Sequence, residues 1–260
     1  MKKMSRRSFV TASAVSASAL GAGAATLGLA TLGQQSANAQ VGTEQAPLKP
    51  VLPPVQAVEL AADWDSASFD KIVHQDARIK QVFDSVKFSH EPLDHMRNSL
   101  NGLQFGFGMA PEQIKVVAVL SGLASFMNFD DSIWKRYAIG SAFHITDPKT
   151  GQPAQRNIFY PSHAGPNGHY ASTDPESAGS LYDDGSMEAL ARRGVRFVVC
   201  HNAALGLAGY LAKNTQTTES RDAIYREMVT HLIPHAVLVP AAVAALAVLQ
   251  SEGHYSYLYV

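Results

Sequence analysis

Two short, nearly unbroken aliphatic runs constrain this chain more than any other feature: Ile114–Leu120 (Ile-Lys-Val-Val-Ala-Val-Leu) and residues 195–200 (Val-Arg-Phe-Val-Val-Cys). A strand with one wet face alternates apolar and polar residues. A run without alternation suits a strand covered on both faces, as in parallel sheets flanked by crossover helices. Segments of helical spacing separate the runs. Pro92 sits where a helix can begin, and Leu93, Met96, Leu100 and Leu103 share one helical face before Gly106 and Gly108 stop it. Ser121-Gly122 turns the first run into a second helix. Residues 188–193 end a helix that Gly194 breaks, residues 203–213 form an Ala/Leu helix, and Pro240 opens a helix over 241–251 that Gly253 closes. Residues 86–88, 237–239 and 255–260 read as further short strands. Ahead of them Phe69, Ile72, Val73, Ile79, Val82 and Phe83 keep roughly helical spacing, so one helix is predicted over 66–83. The alternation predicts an α/β fold: a single domain with a mostly parallel sheet of about five strands and flanking helices.

The amino-terminal residues read differently. A basic start is followed by an Ala/Gly/Ser/Thr-rich apolar run and by Ala37-Asn38-Ala39, which together read as a cleavable export signal over 1–39. Ser5-Arg6-Arg7-Ser8-Phe9-Val10 resembles the twin-arginine (Tat) signal, a receptor-read address, so the Tat export machinery is an expected partner. The scarcity of large aliphatics argues against an uncleaved membrane helix, and no other segment offers the long apolar run of a permanent membrane span. Four of the 21 basic residues (Lys2, Lys3, Arg6, Arg7) and none of the 22 acids lie in this segment, so its removal moves the net charge from -1 to about -5. The expectation is a mildly acidic protein exported folded to a periplasm. With no basic footprint, no nucleic-acid partner is expected. Pro47, Pro50, Pro53 and Pro54 mark an extended tether, so that 40–85 is tether and leading helix and 86–260 the α/β domain.

Between 146 and 186 the pattern lapses. Five prolines, several glycines and no periodicity describe a long insertion loop, and loops of that length inside a domain usually serve as lids, binding loops or contacts between subunits. His163, His169, Asp183 and Asp184 are its candidate metal ligands, although the spacing of the two histidines fits no standard motif, and a polar solvated loop is the competing reading. His231 and His235 flank Pro234 and need not share a helical face. No phosphate-binding glycine motif and no nucleophile elbow is present, so neither a nucleotide cofactor nor serine hydrolase chemistry is expected. Tyr255, Tyr257 and Tyr259 share a strand face as packing or interface residues.

The one cysteine, Cys200, ends the second buried run, and a helix starts within a few residues. In open parallel sheets the carboxyl ends of the strands form the ligand crevice, and a sulfur there faces the positive end of a helix dipole, an arrangement that favours a thiolate. His201 and Asn202 follow directly and are the candidates to assist it. The competing reading makes Cys200 a small buried hydrophobe.

Residues 193–204 (Arg-Gly-Val-Arg-Phe-Val-Val-Cys-His-Asn-Ala-Ala) resemble the strand-cysteine-helix segment of the DsrE/DsrF-like sulfur-relay superfamily. Residues 231–240 (His-Leu-Ile-Pro-His-Ala-Val-Leu-Val-Pro), with Leu246, Leu249-Gln250 and Glu252-Gly253-His254-Tyr255, resemble that family's carboxyl-terminal end. Its upstream helix and strand are echoed by Met96-Arg97-Asn98-Ser99-Leu100-Asn101 and Ile114–Leu120. The resemblance spans roughly residues 86–260, with 146–186 as an insertion, and is nearest the family's exported branch. It implies a small parallel α/β domain that assembles into homo-oligomers and a persulfide carried on the cysteine matched by Cys200, with a sulfur donor or acceptor protein as partner. Export, the insertion and the lack of a second cysteine set this chain apart from the cytoplasmic relays. The alternative function is a non-catalytic ligand-binding or assembly module in which Cys200 is structural.

Overall fold

The computed structural model describes residues 64–164 and 168–260. The chain divides into two units, residues 1–53 and 54–260, and everything described belongs to the second. The export signal and the proline-rich tether lie outside the described residues.

Asp65 accepts the Ser68 N–H at 3.0 Å and opens helix α1 (Ser66–Val73). The 66–83 helix is not continuous. After the turn at residues 74–78 the chain becomes strand β1 (Ile79–Ser85), and residues 86–88 lead out of that strand instead of forming one. Helix α2 (Glu91–Asn101) follows with Pro92 in its first turn, and it runs into a π-helical turn, Gly102–Gly106. Strand β2 (Ile114–Leu120) leads into a 3-10 turn, Gly122–Asn128, and two short helices, α3 (Asp131–Arg136) and α4 (Ile139–Ala142). Helix α5 (Met187–Arg192) precedes β3 (Arg196–Cys200), which passes without a loop into α6 (His201–Asn214). Then come α7 (Arg221–Thr230), β4 (Ala236–Val239), α8 (Ala242–Ser251) and β5 (Ser256–Tyr259).

The five strands form one sheet in the order β4-β3-β2-β1-β5, and every pairing is parallel. From β1 to β4 the chain steps in one direction. It then returns to the opposite edge through α8, and the connecting helix changes face, as right-handed crossovers require. Residues of β2 alternate between two apolar layers. Ile114, Val116, Ala118 and Leu120 face the larger core, filled by α2 through α7 with Trp134, Phe126, Phe129 and Phe159. Val117 and Val119 face a thinner layer with Val82, Val198, Val239 and Cys200, closed by Phe69, Ile72 and Val73 of α1 and by Ala242, Ala245, Leu246 and Leu249 of α8. Burial on both sides is why this strand shows no polar alternation.

Between α4 and α5 the described residues contain no helix or strand, only isolated bridges at Thr146–Pro153 and Ser172–Ser180. The segment is nevertheless anchored. Asp147 receives two hydrogen bonds from the Arg156 guanidinium, at 2.7 and 2.9 Å, and this pairing holds its carboxyl below the usual range. The buried Asn157 amide donates to the carbonyls of Met127 (2.7 Å) and Phe129 (2.8 Å).

Candidate functional site at the carboxyl edge of the sheet

Cys200 is the last residue of β3 and the N-cap of α6, a place where serine or aspartate usually supplies an oxygen acceptor. Here sulfur takes that part. The Ala203 N–H donates to Sγ at 3.4 Å, and the Ala242 N–H, from the first turn of α8, donates to the same atom at 3.3 Å. The convergence follows from the topology: β3 and β4 are parallel neighbours with Cys200 opposite Val239, so the helices that follow both strands start at one edge. The sulfur thus faces the amino-terminal ends of two helices, in a residue only 7% exposed.

The two neighbours of Cys200 are not directed at its sulfur. His201 turns toward α7, with Nδ1 2.6 Å from the Tyr225 hydroxyl and the two rings edge to face at 4.9 Å. Asn202 is exposed and lines a shallow groove with Gly206, Tyr210 and Arg221. Adjacent side chains diverge as the strand becomes a helix, and among the described residues Sγ is met by backbone donors alone.

In the 146–186 segment, the buried carboxylate of Asp184 accepts the N–H of His163 at 2.6 Å, the N–H of Ser186 at 2.8 Å and the Tyr170 hydroxyl at 3.3 Å. The His163 imidazole reaches within 3.7 Å of the same carboxylate. The Asp183 carbonyl accepts from Arg97 at 3.0 Å, and His169 is exposed. Among the described residues no group of three His, Cys, Asp or Glu side chains is placed to hold a metal ion. His163 and Asp184 are brought together, whereas His169 and Asp183 do not complete a ligand set with them.

Three polar clusters were not legible in the sequence. His90, an exposed residue at the start of α2, packs its ring 4.7 Å from that of Phe159; partial desolvation there pushes its imidazole below the usual range, Asp94 opposes this, and His163 adds to it. Asp130, Ser132 and His231 have the composition of a hydrolytic triad but not its geometry. Both the Asp130 carboxylate and the Ser132 hydroxyl lie 3.0 Å from the same nitrogen, Nδ1 of His231, so the imidazole cannot relay a proton from one to the other. Their role is structural, since Asp130 caps α3 through the N–H of Ser132 at 2.9 Å. Third, the Tyr137 hydroxyl donates to Glu227 at 2.6 Å and lies 3.2 Å from Glu219, and Arg136 pairs with both carboxylates beside a cavity of about 600 Å³. Burial, followed by these two carboxylates, drives the Tyr137 hydroxyl well above the ordinary tyrosine range. That cavity borders Asn214, at the opposite end of α6 from Cys200 and roughly 20 Å along the helix axis at 1.5 Å per residue.

Fold and site together define a parallel α/β protein with one sulfur at the carboxyl edge of its sheet, held by two helix starts. The chain matches no protein-family model, no curated protein and no solved structure.

Proposed function

We propose that this protein handles sulfane sulfur, with Cys200 as the atom that accepts and passes it on. The observation that carries this reading is the pair of N–H groups from α6 and α8 converging on Sγ, since backbone donors and helix starts are what a sulfur anion needs in place of solvent. The strand-cysteine-helix resemblance to the DsrE/DsrF-like relays supports the same reading. In the step proposed, the Cys200 thiolate attacks the outer sulfur of a donor persulfide. One S–S bond forms at Sγ as the donor's S–S bond breaks, and the donor leaves as a thiol, with no net oxidation. An acceptor thiol removes the sulfur by the same exchange. His201 pairs with Tyr225 and Asn202 lines an outer groove, so this scheme gives neither a part in the exchange at Sγ. The Tat-like segment supports an exported protein, and homo-oligomers and a donor protein are the partners this reading expects.

A second reading, an assembly or binding module with a structural cysteine, is favoured by the 7% exposure of Cys200 and by its place in an apolar layer. One pair of measurements separates the two. Incubation of the folded protein with a low-molecular-weight persulfide should add about 32 Da per sulfur to the intact mass, and Cys200→Ala should abolish the adduct. Rapid alkylation of the native thiol accompanies that result. An unmodified mass, with alkylation only after unfolding, assigns Cys200 to the core.

A further inference from the structure

The amino-terminal edge of the sheet, opposite Cys200, carries a charge that no group in the described chain balances. Arg193 follows α5, and its guanidinium lies over the Tyr182 ring, 5.2 Å from the centroid. Its Nη1 is shut off from solvent without a hydrogen-bond partner, and Nη2 reaches only Gln104 Oε1, at 3.5 Å. The two neighbouring arginines are satisfied: Arg97 pairs with Asp94 at 3.2 Å and Arg192 with Glu188 at 2.7 Å. Among the described residues no carboxylate lies within ion-pair distance of Arg193. Burial pushes its guanidinium down to about 10; Tyr182 opposes this and Arg97 adds to it. A half-buried cation without an anion is costly, and natural folds rarely keep one without a use for it.

Arg193 lines a cavity of about 180 Å³. Gln104 and Tyr182 share its polar wall, while Leu100, Ile114 and Leu181 form an apolar one. Gln104 sits on the π-helical turn at the end of α2, a distortion found disproportionately at functional sites. At roughly 30 Å³ per water-sized group, the cavity holds about six such groups. We infer that this cavity binds a small amphiphilic anion, a short-chain aliphatic carboxylate whose head pairs with Arg193 in place of the long Nη2–Gln104 contact and whose tail rests on Leu100, Ile114 and Leu181. The site is independent of the chemistry proposed for Cys200, which ends β3, whereas Arg193 lies ahead of the first residue of that strand, Arg196.

Titration calorimetry of the full chain with sodium butanoate tests this, with butylammonium, n-butanol and sulfate at matched ionic strength as comparisons. Butanoate should bind saturably, one per chain, while butylammonium and n-butanol should not. Sulfate should bind more weakly, lacking a tail. Arg193→Met should weaken butanoate binding by roughly tenfold or more, the scale of a lost charge-assisted pair. Leu181→Trp, which fills the cavity and leaves the guanidinium in place, should weaken it as well and serves if the arginine variant does not fold. No saturable heat with butanoate, or binding unchanged in both variants, overturns the inference. Sulfate or n-butanol binding as tightly as butanoate overturns the ligand class.

Discussion

Gly140, in α4, lies where no side chain fits. A Cβ there would stand 2.2 Å from the Ala154 carbonyl oxygen and 2.3 Å from the Ala154 nitrogen, and because both are backbone atoms neither can swing aside. Gly140→Ala should therefore cost about 3 kcal/mol or more by displacing the 146–186 segment from the helices beneath it, seen as a lower denaturant midpoint. An unchanged midpoint would mean that this contact is soft. At the same scale, His90 gives the fold a pH dependence. Its imidazole titrates below 6.5 in the folded state because the ring, though its residue is exposed, is partly desolvated where it packs on Phe159, with Asp94 opposing and His163 reinforcing. A base with a depressed folded value contributes stability above its unfolded value, and that stability disappears as the pH falls through the folded one. The unfolding free energy should decline from about pH 6.5 downward, and His90→Phe, which keeps a ring against Phe159, should flatten that decline. Identical pH profiles for the two proteins would remove His90 from the account.

Among the elements, those pressed on both faces were the ones legible from the residues alone. Strands β2 and β3 stand out because Val116, Val117, Val119, Val198 and Val199 are apolar whichever way they point. Strand β1 was hidden. Its sequence, Ile-Lys-Gln-Val-Phe-Asp-Ser, carries polar residues, and Val82 and Phe83 happen to continue the helical spacing of Phe69, Ile72 and Val73. The real break lies in His74-Gln75-Asp76-Ala77-Arg78, which has no proline or glycine to mark it. Helix α7 went unread because its buried residues are only Ile224, Tyr225 and Met228. Of the candidate site, the position of Cys200 followed from the strand-helix junction, but the Ala242 donor comes from a segment 42 residues away and no local pattern announces it. The 146–186 segment read as an unpatterned loop because its order comes from single side chains. Asn157 is the clearest, bridging two carbonyls from a buried position. Asn157→Ala should cost about 2–3 kcal/mol by leaving both acceptors unpaired and should speed proteolytic cleavage within 146–186. If the variant resists protease as well as the parent does, the segment is held elsewhere.

At the scale of the molecule, the two apolar layers are unequal. The larger core holds most of the aromatic residues and six helices, whereas α1 and α8 close the thinner layer with small and aliphatic residues and the single ring of Phe69. Cys200 belongs to the thinner layer, so access to its sulfur depends on the side of the sheet that α1 and α8 cover. Hydrogen exchange should find the amides of β2 and β3 slowest, opening only with global unfolding, and those of α1 and α8 faster. Equal protection across all four elements would show that both layers open as one unit.

The order of strands also dictates when the sheet can be finished as the polypeptide emerges from the ribosome. One side of β1 is taken by β2 soon after it is made, but its other side waits for β5, and the Ser85 hydroxyl that donates to the Val260 carbonyl spans 175 residues. At 5–20 residues per second, that leaves an open row of backbone donors and acceptors exposed for on the order of tens of seconds. A chain shortened by residues 256–260 would keep that row permanently open. It should collect in sheet-rich aggregates during expression and be recovered by a chaperone that shields nascent edges, whereas the full chain needs such help only until β5 closes the sheet.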